Sequence, residues 1–338
     1  MTMTLIDTDG TAHELSGTAD RVDGSELATA TGWLPKPEGL CRGDVCVPLL
    51  GREIELEGGQ VDLAEWAAAL GYVVAADADF AVAAVIASVP TAAIEVGSEA
   101  PELALPDVDG TMHSLSEFAG RKRVLVTWAS WCGCRHELGA WRDLQDELGP
   151  AGLSVFSVAL DNSADDARPW VAAGEPSYPV VVDTAHVTAE RYGITNVPST
   201  VWIDEAGQVV KPPTISPGDD QFRDFTKVDA AAHHDALRRW VIDGALPDST
   251  AVPVTPRTVE EQLAQAERRV GAWLHGRGET EAAGRHLARA VELAPWDWTV
   301  RRANIALRGD DPFLGEEFVA FWEEWDAAGR PGYTPMSS

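Results

Sequence analysis

The stretch WASWCGCRHELGAW, residues 128–141, decides the fold of this chain. It follows an apolar run at residues 123–128 that is typical of a buried strand, and it opens a helix predicted over residues 134–148. Cys132 and Cys134 therefore lie where a strand passes into a helix. At a helix start, unpaired backbone N–H groups and the positive end of the helix dipole favour thiolate over thiol. Because the thiolate attacks disulfides, this placement predicts a redox-active pair.

Only Gly133 separates the two cysteines. Residues two apart in a helix point about 200° away from each other, so a disulfide between them requires Cys132 to lie in the preceding loop. The ring would be one residue smaller than in a Cys-x-x-Cys pair, which indicates a more oxidising disulfide. Two other interpretations stay open: a pair of buried small apolar side chains, or two thiolates of a soft-metal site.

Strand and helix patterns alternate on both sides of this stretch. Strands are predicted at residues 123–128 and 153–160, a helix at 164–173, and a hairpin that turns at Ala206 and Gly207. The alternation predicts an α/β fold with a central sheet flanked by helices. An irregular acidic loop at residues 211–229 is long enough to act as a lid.

Two landmarks connect the chain with a known family. The first is GSEAPELALPDVDGTMHSLSEFAGRKRVLVTWASWC at residues 97–132, and the second is GITNVPSTVWIDEAG at residues 193–207. On these landmarks residues 97–211 resemble the thioredoxin-fold redoxins. The resemblance is greatest to the TlpA/ResA-type thiol–disulfide reductases and their relatives in the alkyl hydroperoxide reductase/thiol-specific antioxidant (AhpC/TSA) superfamily.

The chain keeps most of the family's active-site pattern. The shared positions are Trp131, Cys132, Gly133, Cys134, Arg135 and Glu137. The proline between the cysteines is missing, and Gly139 stands where the family has a helix-kinking proline. The resemblance implies that Val197-Pro198 is the cis-proline segment facing the cysteine pair, and that Trp131, Val197 and Pro198 contact the substrate.

The function that this resemblance implies is thiol–disulfide exchange without a cofactor. Cys132 would attack a disulfide or oxidised sulfur, and Cys134 would resolve the adduct. The implied partners are protein or small-molecule disulfides and an external thiol electron donor. One alternative is a thiol-dependent peroxidase, although Ala129 stands where the peroxidatic pattern has Thr. Another is a non-enzymatic interaction or soft-metal-binding adaptor.

Other candidate residues have two or more interpretations. Asp161 follows a central strand, where open sheets place ligands, so it is a proton relay for Cys134 or a helix cap. His136 tunes the thiols or is simply exposed. Cys41 and Cys46 form a dithiol relay, an accessory disulfide, a pair of structural thiols or, with Cys132 and Cys134, a metal site. Alone they lack the further cysteines or histidines that a zinc site needs.

Three domains are predicted. Residues 1–95 form a small α+β unit that starts with a hairpin around Asp9-Gly10. Residues 96–247 are the thioredoxin-like domain. Residues 256–331 form a helical hairpin resembling one tetratricopeptide repeat, docked on the preceding domain. The repeat-like positions are Gly271, Leu274, Ala283, Leu287, Ala290 and Pro295.

Composition excludes several classes of protein. The 338 residues carry 54 acidic and 26 basic side chains, a net charge of −28, which argues against nucleic acid and anionic lipid as partners. The apolar stretch FAVAAVIASVP is about half the length needed to span a bilayer. Four cysteines are too few for a secreted disulfide scaffold. We therefore expect a cytoplasmic protein without a membrane anchor.

Overall fold

The computed structural model describes residues 1–87, 94–247 and 257–333. These residues fall into two compact units: residues 1–87 with 257–295, and residues 94–247 with 296–333. The structure differs here from the predicted division into 1–95, 96–247 and 256–331. The C-terminal helical region is not a third unit, because its two halves pack into different cores.

The helices and strands follow in chain order. Residues 1–87 contain β1 (Thr2–Ile6), β2 (Ala12–Ser16), β3 (Arg21–Asp23), α1 (Gly24–Thr31), β4 (Leu34–Lys36), β5 (Gly39–Arg42), β6 (Val45–Val47), β7 (Gln60–Asp62), α2 (Leu63–Ala69), β8 (Val73–Asp77) and β9 (Val82–Ile86). Residues 94–247 contain β10 (Ala104–Pro106), β11 (Met112–Ser114), β12 (Lys122–Trp128), α3 (Leu138–Leu148), β13 (Leu153–Ala159), α4 (Ala164–Gly174), β14 (Val180–Val182), α5 (Val187–Tyr192), β15 (Ser199–Ile203), β16 (Val209–Ile215), α6 (Arg223–Thr226) and α7 (Ala230–Asp243). Residues 257–333 contain α8 (Val259–Gly276), α9 (Thr280–Leu293), α10 (Trp298–Arg301), α11 (Ala303–Leu307) and α12 (Glu316–Ala327).

The first unit is built on a four-stranded sheet in the order β2-β1-β9-β8. Side chains alternate between its faces because strand residues have a period of two. One face, with Leu5, Ala83 and Val85, packs on the core that contains Trp66 of α2. The predicted α+β character and the hairpin around Gly10 are present, with β1 and β2 pairing antiparallel.

Helices α8 and α9 cover the other face of this sheet. Val270 and Leu274 of α8 share a core with Ile6, Val82 and Ala84. A Cβ added at Gly271 would lie 2.8 Å from the side chain of Leu287, so glycine allows the two helices to approach closely. The predicted helical hairpin is therefore observed, and the sheet on which it packs is the N-terminal one. Its likeness to a tetratricopeptide repeat stays a prediction.

The second unit contains a five-stranded sheet in the order β14-β13-β12-β15-β16. Strands β12, β13 and β14 are parallel, whereas β15 and β16 run antiparallel to their neighbours. The predicted thioredoxin-like α/β fold is confirmed. Every residue of β13 is buried, as expected for a central strand covered by helices on both faces. The carboxyl end of β12 leads directly into the cysteine-containing turn.

Residues 296–333 pack onto the thioredoxin-like part of this unit. Trp298 N–H donates to the carbonyl oxygen of Thr195 over 2.8 Å, and Asn162 Nδ2 donates to that of Ala303 over 3.4 Å. An aromatic core of Trp298, Phe318, Phe321 and Trp325 holds α10, α11 and α12 together. This segment therefore lies at the same end of the sheet as the turn that follows β12.

Within the part of the chain that the structure describes, no helix is long and apolar enough to cross a bilayer. The cytoplasmic location stays a prediction.

Candidate active site

Cys132 lies before the helix, where a disulfide with Cys134 would require it. It caps a 3₁₀ turn formed by Gly133–His136 and has an extended backbone, with φ −108° and ψ 150°. The α-helix begins only at Leu138. The prediction of a continuous α-helix from residue 134 is therefore wrong for the first turn, which is a tighter 3₁₀ turn. Cys134 lies inside this turn, and both sulfurs are reduced and buried.

Hydrogen bonds and positive charge surround the Cys132 sulfur. The Cys134 N–H donates to Cys132 Sγ over 3.4 Å, and the Cys132 thiol donates to the Val197 carbonyl oxygen over 3.6 Å. Burial raises the pKa of Cys132, but hydrogen bonding from Cys134 opposes it. The positive charges of Arg302 and Arg135 also lower the pKa of Cys132, which falls from 9.0 to about 7. Cys132 is thus about half ionised at neutral pH.

Cys134 has the opposite character. Burial, together with its hydrogen bond and proximity to Cys132, raises its pKa well above 9.0. Glu137 contributes to this shift through its negative charge. At neutral pH Cys134 is therefore a thiol beside the Cys132 thiolate.

Glu137 is a buried acid with no cationic partner among the described ion pairs. Its Oε2 accepts a hydrogen bond from the Gly218 N–H over 2.7 Å. Burial is the main reason that its pKa lies well above 4.5, and the negative charges of Cys132 and Asp219 add to the effect. Glu137 therefore takes up a proton more readily than an exposed glutamate does, and it lies in the same pocket as the cysteine pair.

Arg302 brings a buried positive charge to the cysteine pair. Its guanidinium lies 3.8 Å from the Phe318 ring centroid and 5.7 Å from that of Trp131. Arg302 Nε donates to the Pro312 carbonyl oxygen over 2.8 Å. Only 4% of the residue is exposed. Because water is largely excluded here, this charge stabilises a thiolate more strongly than a surface arginine would.

The proline landmark lies against the cysteines. The Val197-Pro198 peptide bond is cis, as the resemblance implied. Val197 and Pro198 line the pocket next to Cys132 and Cys134. Trp131, by contrast, is buried and is not among the residues that line the pocket, although the resemblance implied that it contacts the substrate. Its Nε1 donates to the Leu160 carbonyl oxygen over 2.9 Å.

Asp161 holds the loop that leads to Cys132. Its carboxylate accepts hydrogen bonds from the N–H and Oγ of Ser130, at 2.9 Å and 2.7 Å. The helix-cap interpretation is wrong, because Ser163 caps α4. Burial raises the pKa of Asp161 to about 7, against the effect of the Ser130 hydrogen bonds. His136 is exposed and lies edge-on to Trp170, at 5.1 Å between ring centroids.

The loop between β16 and α7 covers the cysteine turn. The predicted irregular loop begins later than residue 211, because residues 211–215 belong to β16. A Cβ added at Gly133 would lie 2.6 Å from the Phe222 ring, so the ring lies directly on the Cys-Gly-Cys backbone. Glycine between the cysteines therefore allows the Phe222 ring to pack closely on the turn. The loop covers the site, which is the position that the lid hypothesis requires.

These elements enclose a pocket of about 130 Å³ against the cysteine pair. Its lining combines the cysteine turn, the proline segment, the covering loop and residues 296–333. The residues are Cys132, Gly133, Cys134, Glu137, Asn196, Val197, Pro198, Ile215, Phe222, Phe225, Thr226, Trp298, Arg302, Phe313, Leu314, Phe318, Trp325, Arg330 and Tyr333. The chemical groups present are therefore a thiolate, a thiol, a carboxylic acid and two guanidinium groups in an aromatic wall.

Cys41 and Cys46 form a disulfide in the first unit. They face each other on neighbouring antiparallel strands, β5 and β6, with Cα atoms 4.1 Å apart. Of the alternatives drawn from the sequence, this is the accessory disulfide. Over residues 1–87, 94–247 and 257–333, no group of three or more His, Cys, Asp or Glu side chains is arranged to bind a metal ion.

Sequence reasoning did not identify Arg302 and Phe222 as parts of the site. Both come from segments far from the cysteines in sequence: Arg302 reaches the site through the packing of residues 296–333, and Phe222 through the loop between β16 and α7. One available signal was the density of aromatic residues after residue 295, which is unusual for a solvated helical hairpin.

Comparison with known proteins agrees with this geometry. The AhpC/TSA family matches residues 96–211. The chain is 28% identical over 120 residues to the thiol-disulfide oxidoreductase ResA of Geobacillus thermodenitrificans, an alignment that covers 35% of this chain and 69% of that protein. It is 29% identical over 119 residues to the thioredoxin-like protein YneN of Bacillus subtilis, covering 34% and 69%. A solved thiol:disulfide interchange protein from Bacteroides sp. aligns at 19% identity with a TM-score of 0.36, covering 44% of this chain and 91% of that one.

The family match and the cysteine turn coincide in the chain. The matched residues contain β12, the Cys132/Cys134 turn and the cis-proline segment in the order that the resemblance required. The predicted redoxin family and the oxidoreductase class are thereby confirmed. Residues 96–211 match the AhpC/TSA family and are similar to the ResA-type thiol–disulfide oxidoreductases.

Proposed function

We propose that the chain catalyses thiol–disulfide exchange with Cys132 as the attacking thiolate and Cys134 as the resolving thiol. The observation that carries this proposal is the arrangement of the two sulfurs: Cys132 precedes the 3₁₀ turn, accepts a hydrogen bond from the Cys134 N–H and lies beside the cis Val197-Pro198 bond. The pKa of Cys132 is lowered to about 7, whereas that of Cys134 is raised well above 9.0. An attacking thiol works best when its pKa is near the ambient pH.

The surrounding groups suit the two steps of exchange. In the first step, Arg302 stabilises the Cys132 thiolate, which attacks a disulfide sulfur. In the second, Cys134 must lose its proton before it attacks Cys132, and the Glu137 carboxylate, whose raised pKa favours proton uptake, accepts it. Asp161 is a positioning residue in this proposal, since it holds Ser130 two residues before Cys132.

The substrates in this proposal are disulfides, and the electrons return from an external thiol. The Val197 carbonyl group beside Cys132 is available to the backbone of a bound thiol or peptide. No cofactor is needed, because both electrons come from the cysteine pair.

The test uses one serine variant of each cysteine in the full chain. Cys134→Ser should accumulate a mixed disulfide on Cys132 when mixed with an oxidised thiol, whereas Cys132→Ser should accumulate none. Peptide mass spectrometry identifies the modified sulfur. Trapping on Cys134 in the Cys132→Ser protein would reverse the roles, and rapid oxidation of Cys132 by peroxide without disulfide exchange would favour the peroxidase alternative.

A further inference from the structure

The pocket over Cys132 has an aromatic wall that contains one cation without a carboxylate partner. Two arginines line it, Arg302 and Arg330. Arg330 is already paired, since its Nε lies 2.7 Å from Asp326 Oδ1. Arg302 takes part in none of the ion pairs of the described residues, and its Nε is used by the Pro312 carbonyl oxygen.

A buried arginine without a carboxylate is destabilising on its own. Arg302 is 4% exposed and lies between aromatic rings, where a charge loses most of its hydration. The negative charges that act on it are those of the cysteine pair and, to a smaller extent, Asp311, whose carboxylate forms no ion pair with it. A carboxylate entering the pocket would supply the missing partner and gain a charge-assisted hydrogen bond that is strong because the surroundings are apolar.

The dimensions of the pocket limit what can accompany that carboxylate. A cavity of roughly 150 Å³ holds a benzene ring, and this pocket has about 130 Å³. The Phe222 ring lies on Gly133, and only 6% of Cys132 is exposed. The pocket therefore takes at most one ring-sized group beside the sulfur, whereas a folded protein would have to displace the covering loop.

We propose that this pocket binds low-molecular-weight disulfides whose apolar or aromatic body carries a carboxylate, and that Arg302 pairs with this carboxylate. The inference rests on the exchange chemistry proposed above and names its substrate class. Arg302 then has two roles at once, because the same guanidinium stabilises the Cys132 thiolate and orients the substrate.

The exchange balances without a further reactant. The Cys132 thiolate forms a bond to one substrate sulfur while the substrate S–S bond breaks, and the other half leaves as a thiolate. Cys134 then bonds to Cys132 Sγ, the mixed disulfide breaks, and the second half leaves. The proton of Cys134 ends on a departing thiolate. Two electrons have passed from the cysteine pair to the substrate.

The test compares an anionic and a neutral aromatic disulfide, dithiobis(nitrobenzoate) and dithiodipyridine, on the full chain. Rates are measured at about pH 9.5, above the pKa of about 7 of Cys132 in the wild-type chain, and the ratio of the two rates cancels any difference in Cys132 ionisation between variants. Arg302→Gln should slow the anionic probe about ten-fold more than the neutral one, equivalent to about 1.4 kcal/mol. Arg302→Lys should keep part of the preference. Arg301→Gln is the matched control, one residue away on the same helical segment and outside the lining, and should leave the ratio of rates unchanged.

A second measurement does not depend on the variants folding. In the wild-type chain, benzoate should slow alkylation of Cys132 by neutral iodoacetamide, and benzamide should not. Equal loss of both rates in Arg302→Gln, or no difference between benzoate and benzamide, would overturn the carboxylate site while leaving thiol–disulfide exchange in place. Failure of the wild-type chain to react with either disulfide would instead overturn the proposed function.

Discussion

Replacing Cys134 with alanine should make Cys132 a weaker acid. Among the groups that lower the pKa of Cys132, the side chain of Cys134 has the largest effect, ahead of Arg302. A hydrogen bond to a charged group contributes about 1.5–3 kcal/mol, and one pKa unit corresponds to about 1.36 kcal/mol. Loss of the thiol donor should therefore raise the pKa from about 7 to about 8–9.

The assay is the rate of Cys132 alkylation by iodoacetamide as a function of pH, followed on the intact chain by mass spectrometry. Cys134→Ser is the matched control, because its hydroxyl group can still donate to the Cys132 sulfur. The serine variant should keep a midpoint near that of wild type, and the alanine variant should not. Identical midpoints in the two variants would refute the idea that the Cys134 side chain stabilises the thiolate.

Three further predictions concern the surroundings of the pair. Glu137→Gln should leave the first attack by Cys132 intact but slow resolution, so that mixed disulfide accumulates in a quenched time course; unchanged resolution would exclude Glu137 as the proton carrier. Phe222→Ala should expose the turn and raise the alkylation rate of Cys132 several-fold at fixed pH. An unchanged rate would show that the Phe222 ring does not limit access to Cys132. Burial lowers the pKa of Lys211 to about 7, so between pH 7 and pH 10 the unfolded chain binds more protons than the folded chain. Lys211→Met should therefore stabilise the fold near pH 7. This gain in the free energy of unfolding should shrink by about 1.36 kcal/mol per pH unit as the pH rises towards 10. Urea unfolding of both proteins at several pH values measures the difference in the free energy of unfolding, and a difference that does not change with pH would contradict the prediction.

The central part of the fold could be predicted from sequence because local patterns determine it. A buried strand, a turn and a helix follow each other between residues 122 and 148, and the period of apolar residues changes accordingly. The position of Cys132 before the helix followed from the single-residue spacing and the geometry of a helix. The hairpin at Gly10 was likewise marked by an Asp-Gly turn, in which the glycine adopts positive φ.

Contacts between distant segments could not be predicted in the same way. The apolar face of α8, with Val270 and Leu274, is equally suited to several sheets, and the periodicity does not show which sheet it covers. Its partner is the first unit's sheet. The same holds for Arg302 at the site. Its effect on Cys132 depends on its burial, and Arg302 becomes buried only when residues 296–333 fold against the rest of the unit.

The most direct test of the central claim is the product that forms when the reduced wild-type chain meets one equivalent of a small disulfide. The account predicts that both halves of the reagent are released and that acid-quenched peptides contain a Cys132–Cys134 disulfide. A stable mixed disulfide on Cys132, with one half of the reagent retained and Cys134 still reduced, would contradict the claim that these two residues form one redox pair.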